Sequence, residues 1–198
     1  MKLEREFFLT DGISLARALL GKTLVRRSPE GETRGIIVET EAYMGELDKA
    51  AHSYKRRENG RTNIQYREGG YAYVYLIYGM HCCFNITANA ADVPECVLIR
   101  ALEPAGGTEL MRLRRRQERA EALCSGPGKL CAAMGIDRSL YGEDLCGERL
   151  FLLDEGRTPD ISVGRRINID YAEEAADFPW RFTVRGSRFL SVRERKPK

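Results

Sequence analysis

Apolar and polar positions alternate along KTLVRR (22–27) and again along TRGIIVETEAY (33–43), with SPEGE (28–32) between them. That pattern predicts a β-hairpin. YAYVYLIY (71–78) is the strongest strand signal in the chain, and CCFNITANA (82–90) continues the sheet after a break at Gly79. ECVLIRALEP (95–104) predicts a further strand, stopped by Pro104. Ahead of the hairpin, FFLTDGISLARALL (7–20) predicts a short helix from about Ser14, with Leu15, Ala18 and Leu19 on one side and Gly21 ending it. In GTELMRLRRRQERAEAL (107–123) the period lengthens to that of a helix. Leu110, Leu113, Ala120 and Leu123 fall on one face and the arginines on much of the other. GPGK punctuates it, LCAAMGI (130–136) predicts a second short helix, and RLFLLDEG, DISVGRRINI and WRFTVRGSRFLS read as returning strands. Residues 44–70 hold few apolar positions and read as a long ordered excursion with one helical turn around Lys49–His52. A loop of that length in a compact domain tends to be functional. The fold class expected is α+β, a single domain over residues 1–198 with a mainly antiparallel sheet flanked by helices.

Composition narrows the picture. A chain of 198 residues, 43% of them hydrophobic, buries a core without disulfides or a structural metal. The six cysteines lie mostly in apolar surroundings, as reduced core cysteines do. Adjacent Cys82 and Cys83 would point to opposite faces of a strand, no CxxC is present, and neither histidine stands at ligand spacing from a cysteine, so no metal site is expected. Without a signal-like N-terminus or an apolar run near the roughly 20 residues of a membrane span, a cytoplasmic protein with no membrane contact is expected. The net charge of +3 says little, but RRSPEGETR (26–34), KRRENGR (55–61), RLRRRQER (112–119) and RERKPK (193–198) concentrate basic side chains. Such patches suit either a polyanion or a solvated arginine-rich surface.

ETEAY (39–43) poses the chemical question. In a regular strand Ile37, Glu39, Glu41 and Tyr43 share one face. Glu41, nearer the strand end and followed by Tyr43 and the polar loop holding His52, is the better candidate for a general base in a partly dry cleft. The plainer alternative pairs both acids with surface arginines. Tyr71, Tyr73 and Tyr75 alternate onto one face, fit either to close a core edge or to wall a slot for a planar ring. Tyr78, where the strand turns, suits a wedge between stacked bases as well as a core position. Asn85 and Arg100 interrupt apolar runs and need partners if buried; Arg100 could bridge to Glu41 or grip a phosphate. There is no P-loop, no GxSxG elbow, no C₂H₂ finger and no zinc-deaminase signature.

These residues carry a resemblance. LARALLGKTLVRR, VETEAYMGELDKAAHSY, YAYVYLIYGMHCCFNI, VLIRALEP, GPGKLCAAMGI and WRFTVRG, in this order over nearly the whole chain, resemble the alkyladenine (3-methyladenine) DNA glycosylase family. The resemblance implies a curved sheet and a monofunctional glycosylase that hydrolyses the N-glycosidic bond of alkylated, and by extension deaminated, purines flipped from duplex DNA. It implies Glu41 as the catalytic acid that activates water, with Arg100 beside it. Tyr43, His52 and Tyr75 would wall the base pocket, Asn85 would form its floor, and Tyr78 would intercalate with Met80 beside it. No cofactor is implied; the partner is double-stranded DNA carrying a damaged purine, met by a monomer. Departures fall in the loop: Gln65-Tyr66 replaces a Met-Phe pair, Arg67-Glu68-Gly69-Gly70 replaces Gly-Pro-Pro-Gly, and His81 replaces an aromatic. Two alternatives stand beside this reading, a non-catalytic nucleic-acid binding module and a hydrolase of free nucleosides. Tolerance of Glu41→Gln would mark the first, indifference to duplex the second.

Overall fold

The hairpin forms as its alternation predicts. Strand β1 (Thr23–Ser28) pairs with β2 (Gly31–Tyr43), Ser28 opposite Gly31, so that Pro29 and Glu30 alone make the turn. The structure, a computed structural model, describes residues 1–56, 58 and 60–192. Arg57 of the second basic patch and the RERKPK terminus lie outside the described residues. Six further strands are β3 (Ala72–Ile77), β4 (His81–Ala88), β5 (Glu95–Gly106), β6 (Leu150–Leu153), β7 (Ile161–Gly164) and β8 (Arg181–Val184). They form one open antiparallel sheet in the order β3-β4-β5-β2-β1-β6, with β8 joined to β2 and β7 to β8.

Helix α1 (Gly12–Ala18) begins two residues before Ser14, because the Asp11 carboxylate accepts from the N–H groups of Ile13 and Ser14 at 3.0 Å. It lies over β2, where Thr40 Oγ1 donates to the Ala16 carbonyl at 2.8 Å. With α2 (Thr108–Arg115) and α4 (Pro127–Met134) it covers a core of Phe8, Leu15, Leu19, Ile37, Phe84, Ile99, Leu102, Met111 and Leu130. No helix among the described residues is long and apolar enough to cross a membrane, and none of the six cysteines is in a disulfide.

Four local expectations are corrected. The 107–123 helix breaks: Arg116 takes a left-handed φ of 48°, and α3 (Ala120–Leu123) starts after a corner. Arg112 and Arg115 donate to the carbonyls of Glu118 and Leu123 there, so Met111 and Leu123 face the core while Leu113 is 75% exposed. Strand β5 does not stop at Pro104 but runs to Gly106, with Ala105 left unpaired as a bulge that accommodates the proline. DISVGRRINI is strand only to Gly164. Residues 45–47, not 49–52, form the short helical turn in the loop.

A fifth correction positions the site, for strict alternation fails inside β2. Ile37 pairs with Leu102 and Thr40 with Ile99, but between them Glu39 pairs with Ala101 while Val38 and Arg100 have no register partner. Two consecutive residues on each strand therefore turn to the same side. Ile37, Thr40 and Ala42 face α1 and the main core. Val38 packs with Ala101, Phe189 and Leu190, and Glu39, Glu41 and Tyr43 share the face opposite to Ile37. Regular pleating would have sent both acids into the apolar core.

Candidate active site

Glu39 and Glu41, one strand step apart, meet different surroundings. Both are fully buried. Glu39 Oε1 accepts from Arg100 Nε at 3.0 Å, Arg181 Nε at 2.8 Å and Ser191 Oγ at 2.7 Å, and its Oε2 accepts from the Ser191 N–H at 2.6 Å. Burial alone would push its carboxyl up, but the charges of Arg181 and Arg100 outweigh it and hold the group below the ordinary carboxylate range. Glu41 Oε1 accepts from the Ile167 N–H at 2.7 Å, and Oε2 from Tyr43 Oη at 3.0 Å and Arg100 Nη1 at 3.2 Å. Here desolvation wins over Arg100 and these hydrogen bonds, and the carboxyl is raised. A carboxylate has about four acceptor sites; the three bonds leave one open. The arginines that pair with the acids are buried rather than at the surface, which sets aside the plainer expectation for this strand.

Two segments bring the other side chains to this face. The first follows β2. Asp48 accepts from the N–H groups of Met44 and Ala50 and forms a two-point ion pair with Arg166 at 2.5 and 2.9 Å, both side chains fully buried. That anchor and Ser53, which donates to the Pro94 carbonyl, fix the turn carrying His52. The second segment, 165–178, leaves β7. Arg166 lies between the Tyr43 and Trp180 rings, 4.8 and 4.9 Å from their centroids, and donates to the carbonyls of Ala42 and Ala175. Its position delivers the next residue's N–H to Glu41.

A pocket lined by Tyr43, His52, Gln65, Tyr73, Tyr75, Asn85 and Tyr171 opens on the far side of Tyr43, whose hydroxyl donates to Glu41, itself buried behind the lining. It continues into a cleft walled by Arg100, Ile167 and Asn168 that reaches Tyr78. Asn85, opposite Leu98 on β5, is buried and donates to the Tyr73 carbonyl at 3.1 Å. His52 Nδ1 lies 2.7 Å from Tyr73 Oη, and Arg61 reaches both ring nitrogens. The expected flat slot is closed: the His52 and Tyr75 rings meet edge to face at 4.7 Å and 77°. A ring stacked between two others needs roughly 7 Å, twice a carbon–carbon contact. Arg61 also sits over the Tyr75 ring at 4.9 Å. Tyr78 and Met80 lie outside the pocket on the β3–β4 turn, 83% and 72% exposed. Tyr78 and Gly79 have φ of 52° and 70°, and the Met80 N–H donates to the Ile77 carbonyl, as a tight hairpin turn requires.

Gln65 and Tyr66, where the loop departs from the resembling pattern, are buried, and Gln65 lines the pocket. Gly69 admits no side chain, since a Cβ would stand 2.2 Å from the Phe8 carbonyl oxygen. Sequence reasoning missed Glu39 as an organiser, and with it Arg166, Ile167 and Tyr171. The only signal was an arginine pair interrupting the alternation of DISVGRRINI.

Burial, and then the Arg61 charge, lower His52 from its ordinary 6.5 to about 4. The unfolded chain therefore takes up a proton between those values that the folded chain refuses, and stability falls as pH drops from 6.5 to 4. The depression corresponds to roughly 3 kcal/mol. Denaturant titrations should show His52→Gln flattening the acid-side loss; an unchanged slope would contradict a buried neutral histidine.

A family profile described as methylpurine-DNA glycosylase (MPG) matches residues 6–188. The chain is 45% identical over 201 residues to a protein of Desulfitobacterium hafniense, covering 97% of this chain and 99% of that one. It is 45% identical over 197 residues to one of Natranaerobius thermophilus, covering 97% and 100%. It is 46% identical over 202 residues to one of Clostridium novyi, covering 96% and 98%. All three bear the provisional name 3-methyladenine DNA glycosylase.

Proposed function

The chain belongs to the methylpurine-DNA glycosylase family, and from that premise we propose that it hydrolyses the N-glycosidic bond of alkylated purines in duplex DNA, the first step of base excision repair. The observation that carries this reading is Glu41: a fully buried carboxylate held by three donors, with one acceptor site left, one of those donors being Tyr43, which lines the tyrosine-rich pocket. In the proposed reaction the damaged nucleotide leaves the stack and its base enters between Tyr43, His52 and Tyr75. Glu41 takes the proton of a water aimed at C1′ and faces the positive charge that develops on the sugar. An alkylated base that is already cationic departs without a protonated acid. Aromatic faces favour such a cation, and His52, lowered to about 4, adds no charge of its own at neutral pH. Asn85 at the pocket floor would select against the exocyclic amine of normal guanine. Entry requires the His52–Tyr75 contact to open and Arg61 to withdraw from the Tyr75 ring. Deaminated purines, being neutral, would lean harder on leaving-group assistance. The protein would act as a monomer in the cytoplasm.

The direct test is incubation with duplexes bearing one 7-methylguanine, hypoxanthine or ethenoadenine. Release of the free base, with no strand break before alkali, is expected for at least the cationic lesion, as water attack without a Schiff base requires. No base released from any duplex, and no alkali-dependent break beyond that of an enzyme-free control, would reject the reading. Tyr78→Ala should lower affinity for lesion duplex about tenfold, since a stacked base is worth about 1–3 kcal/mol, and should abolish the fluorescence change of a neighbouring 2-aminopurine. An unchanged signal would remove Tyr78 from the role of wedge.

A further inference from the structure

Resting on Glu41 as the base, we infer that Glu39, backed by Arg181, is a positioning residue that holds Arg100 off a two-point contact with Glu41 and so keeps Glu41 a competent base. The guanidinium of Arg100 is divided among three neighbours. Its Nε goes to Glu39 at 3.0 Å, Nη2 to Ser191 Oγ at 3.3 Å, and only Nη1 to Glu41, at 3.2 Å. An arginine facing one carboxylate would ordinarily take it with two parallel bonds. Such a clamp would fill the remaining acceptor site of Glu41 and draw its carboxylate towards a strong-acid pair. Glu39 prevents this by occupying the Nε edge, and is itself fixed by Arg181 Nε and both Ser191 donors.

Two acids and two arginines thus balance within one buried cluster, drawn from β2, β5 and β8. Beyond Arg100 and Glu39, the groups that face or influence Glu41 are Tyr43 on the same strand, Cys83 on β4, Arg181 opposite it on β8, and Tyr171 and the Ile167 N–H on segment 165–178. The hydroxyls of Tyr43 and Tyr171 and the thiol of Cys83 are all raised by burial and stay neutral near pH 7. The charge Glu41 feels is therefore set by Glu39 and the two arginines.

Opposite substitutions should move Glu41 in opposite directions. In Glu39→Gln a negative neighbour is lost and Arg100 is free to turn both donors on Glu41, so the acid limb of the single-turnover excision profile shifts to lower pH. In Arg181→Gln, Glu39 draws Arg100 towards itself and a positive neighbour is lost, so the limb shifts to higher pH, and Arg181→Lys restores it in part. The ¹³C resonance of the Glu41 carboxyl, assigned by its loss in Glu41→Gln, should titrate with the same two signs in the protein without DNA. Limbs that stay put, or that move the same way in both variants, overturn the inference, since a merely structural role changes amplitude and not position. If Glu39→Gln does not fold, Arg181→Gln decides alone, because Glu39 there keeps Arg100 and both Ser191 bonds. A wild-type protein that excises nothing would instead overturn the glycosylase reading, and the carboxyl titration would still stand as the test of this one.

Discussion

Replacing Glu41 by Gln is expected to lower single-turnover excision by about a thousandfold or more while leaving affinity for lesion duplex within a few-fold of wild type. General-base catalysis alone contributes roughly 10²–10⁴, and the lost negative charge opposite the sugar adds to it. Shape is nearly conserved, since the amide fills the carboxylate's place and still accepts from Ile167. The wild-type rate should fall as pH drops through a value above that of an ordinary carboxyl, because burial raises Glu41. The base works ionised, and protonation removes it. Any residual activity of the variant should lack that limb. Near-normal excision by Glu41→Gln would place the base elsewhere.

The second large effect is on stability. Arg166 and Asp48 form a fully buried pair, and Arg166→Met leaves the Asp48 carboxylate without its counter-ion. Breaking one side of such a pair costs about 3–5 kcal/mol, read as a lower denaturant midpoint with unchanged cooperativity. The double variant Asp48→Asn, Arg166→Met should recover part of the loss, as no stranded charge remains. The single variant should also slow excision wherever it still folds, because Arg166 anchors the segment that presents the Ile167 N–H to Glu41. A single variant as stable as wild type would mean that water or another cation reaches Asp48.

What the chain disclosed in advance followed from periodicity. The hairpin was legible because apolar residues recur every second position, and β3 and β4 because they are apolar, aromatic-bearing runs broken at Gly79. Of the side chains named from the family pattern, Tyr43, His52, Tyr75, Tyr78 and Arg100 line one cleft. The failures share a physical cause. The breaks in helix 107–123 and in segment 165–178 are decided by arginines that bond backbone carbonyls across a corner or bury themselves between aromatic rings. Composition records such residues only as positive charge. The Ile167 N–H that holds the acid carries no sequence signature at all. Alternation likewise placed Ile37 with the two acids, because a bulge matched on both strands leaves the count of residues unchanged and is invisible to any period.

That matched bulge limits how the protein can vary. Val38 and Arg100 are the extra positions that cancel each other across the β2–β5 ladder. Removing one residue between Ile37 and Thr40 would force one arm of β2 to slide along its neighbour by a residue, about 3.3 Å. Either the contact with β1 or the alignment of Glu41 with Arg100 and Asn85 would be lost. Insertions and deletions in the middle of this sheet therefore disrupt the site whichever arm moves. Changes of length belong instead at the Pro29–Glu30 turn, remote from the chemistry.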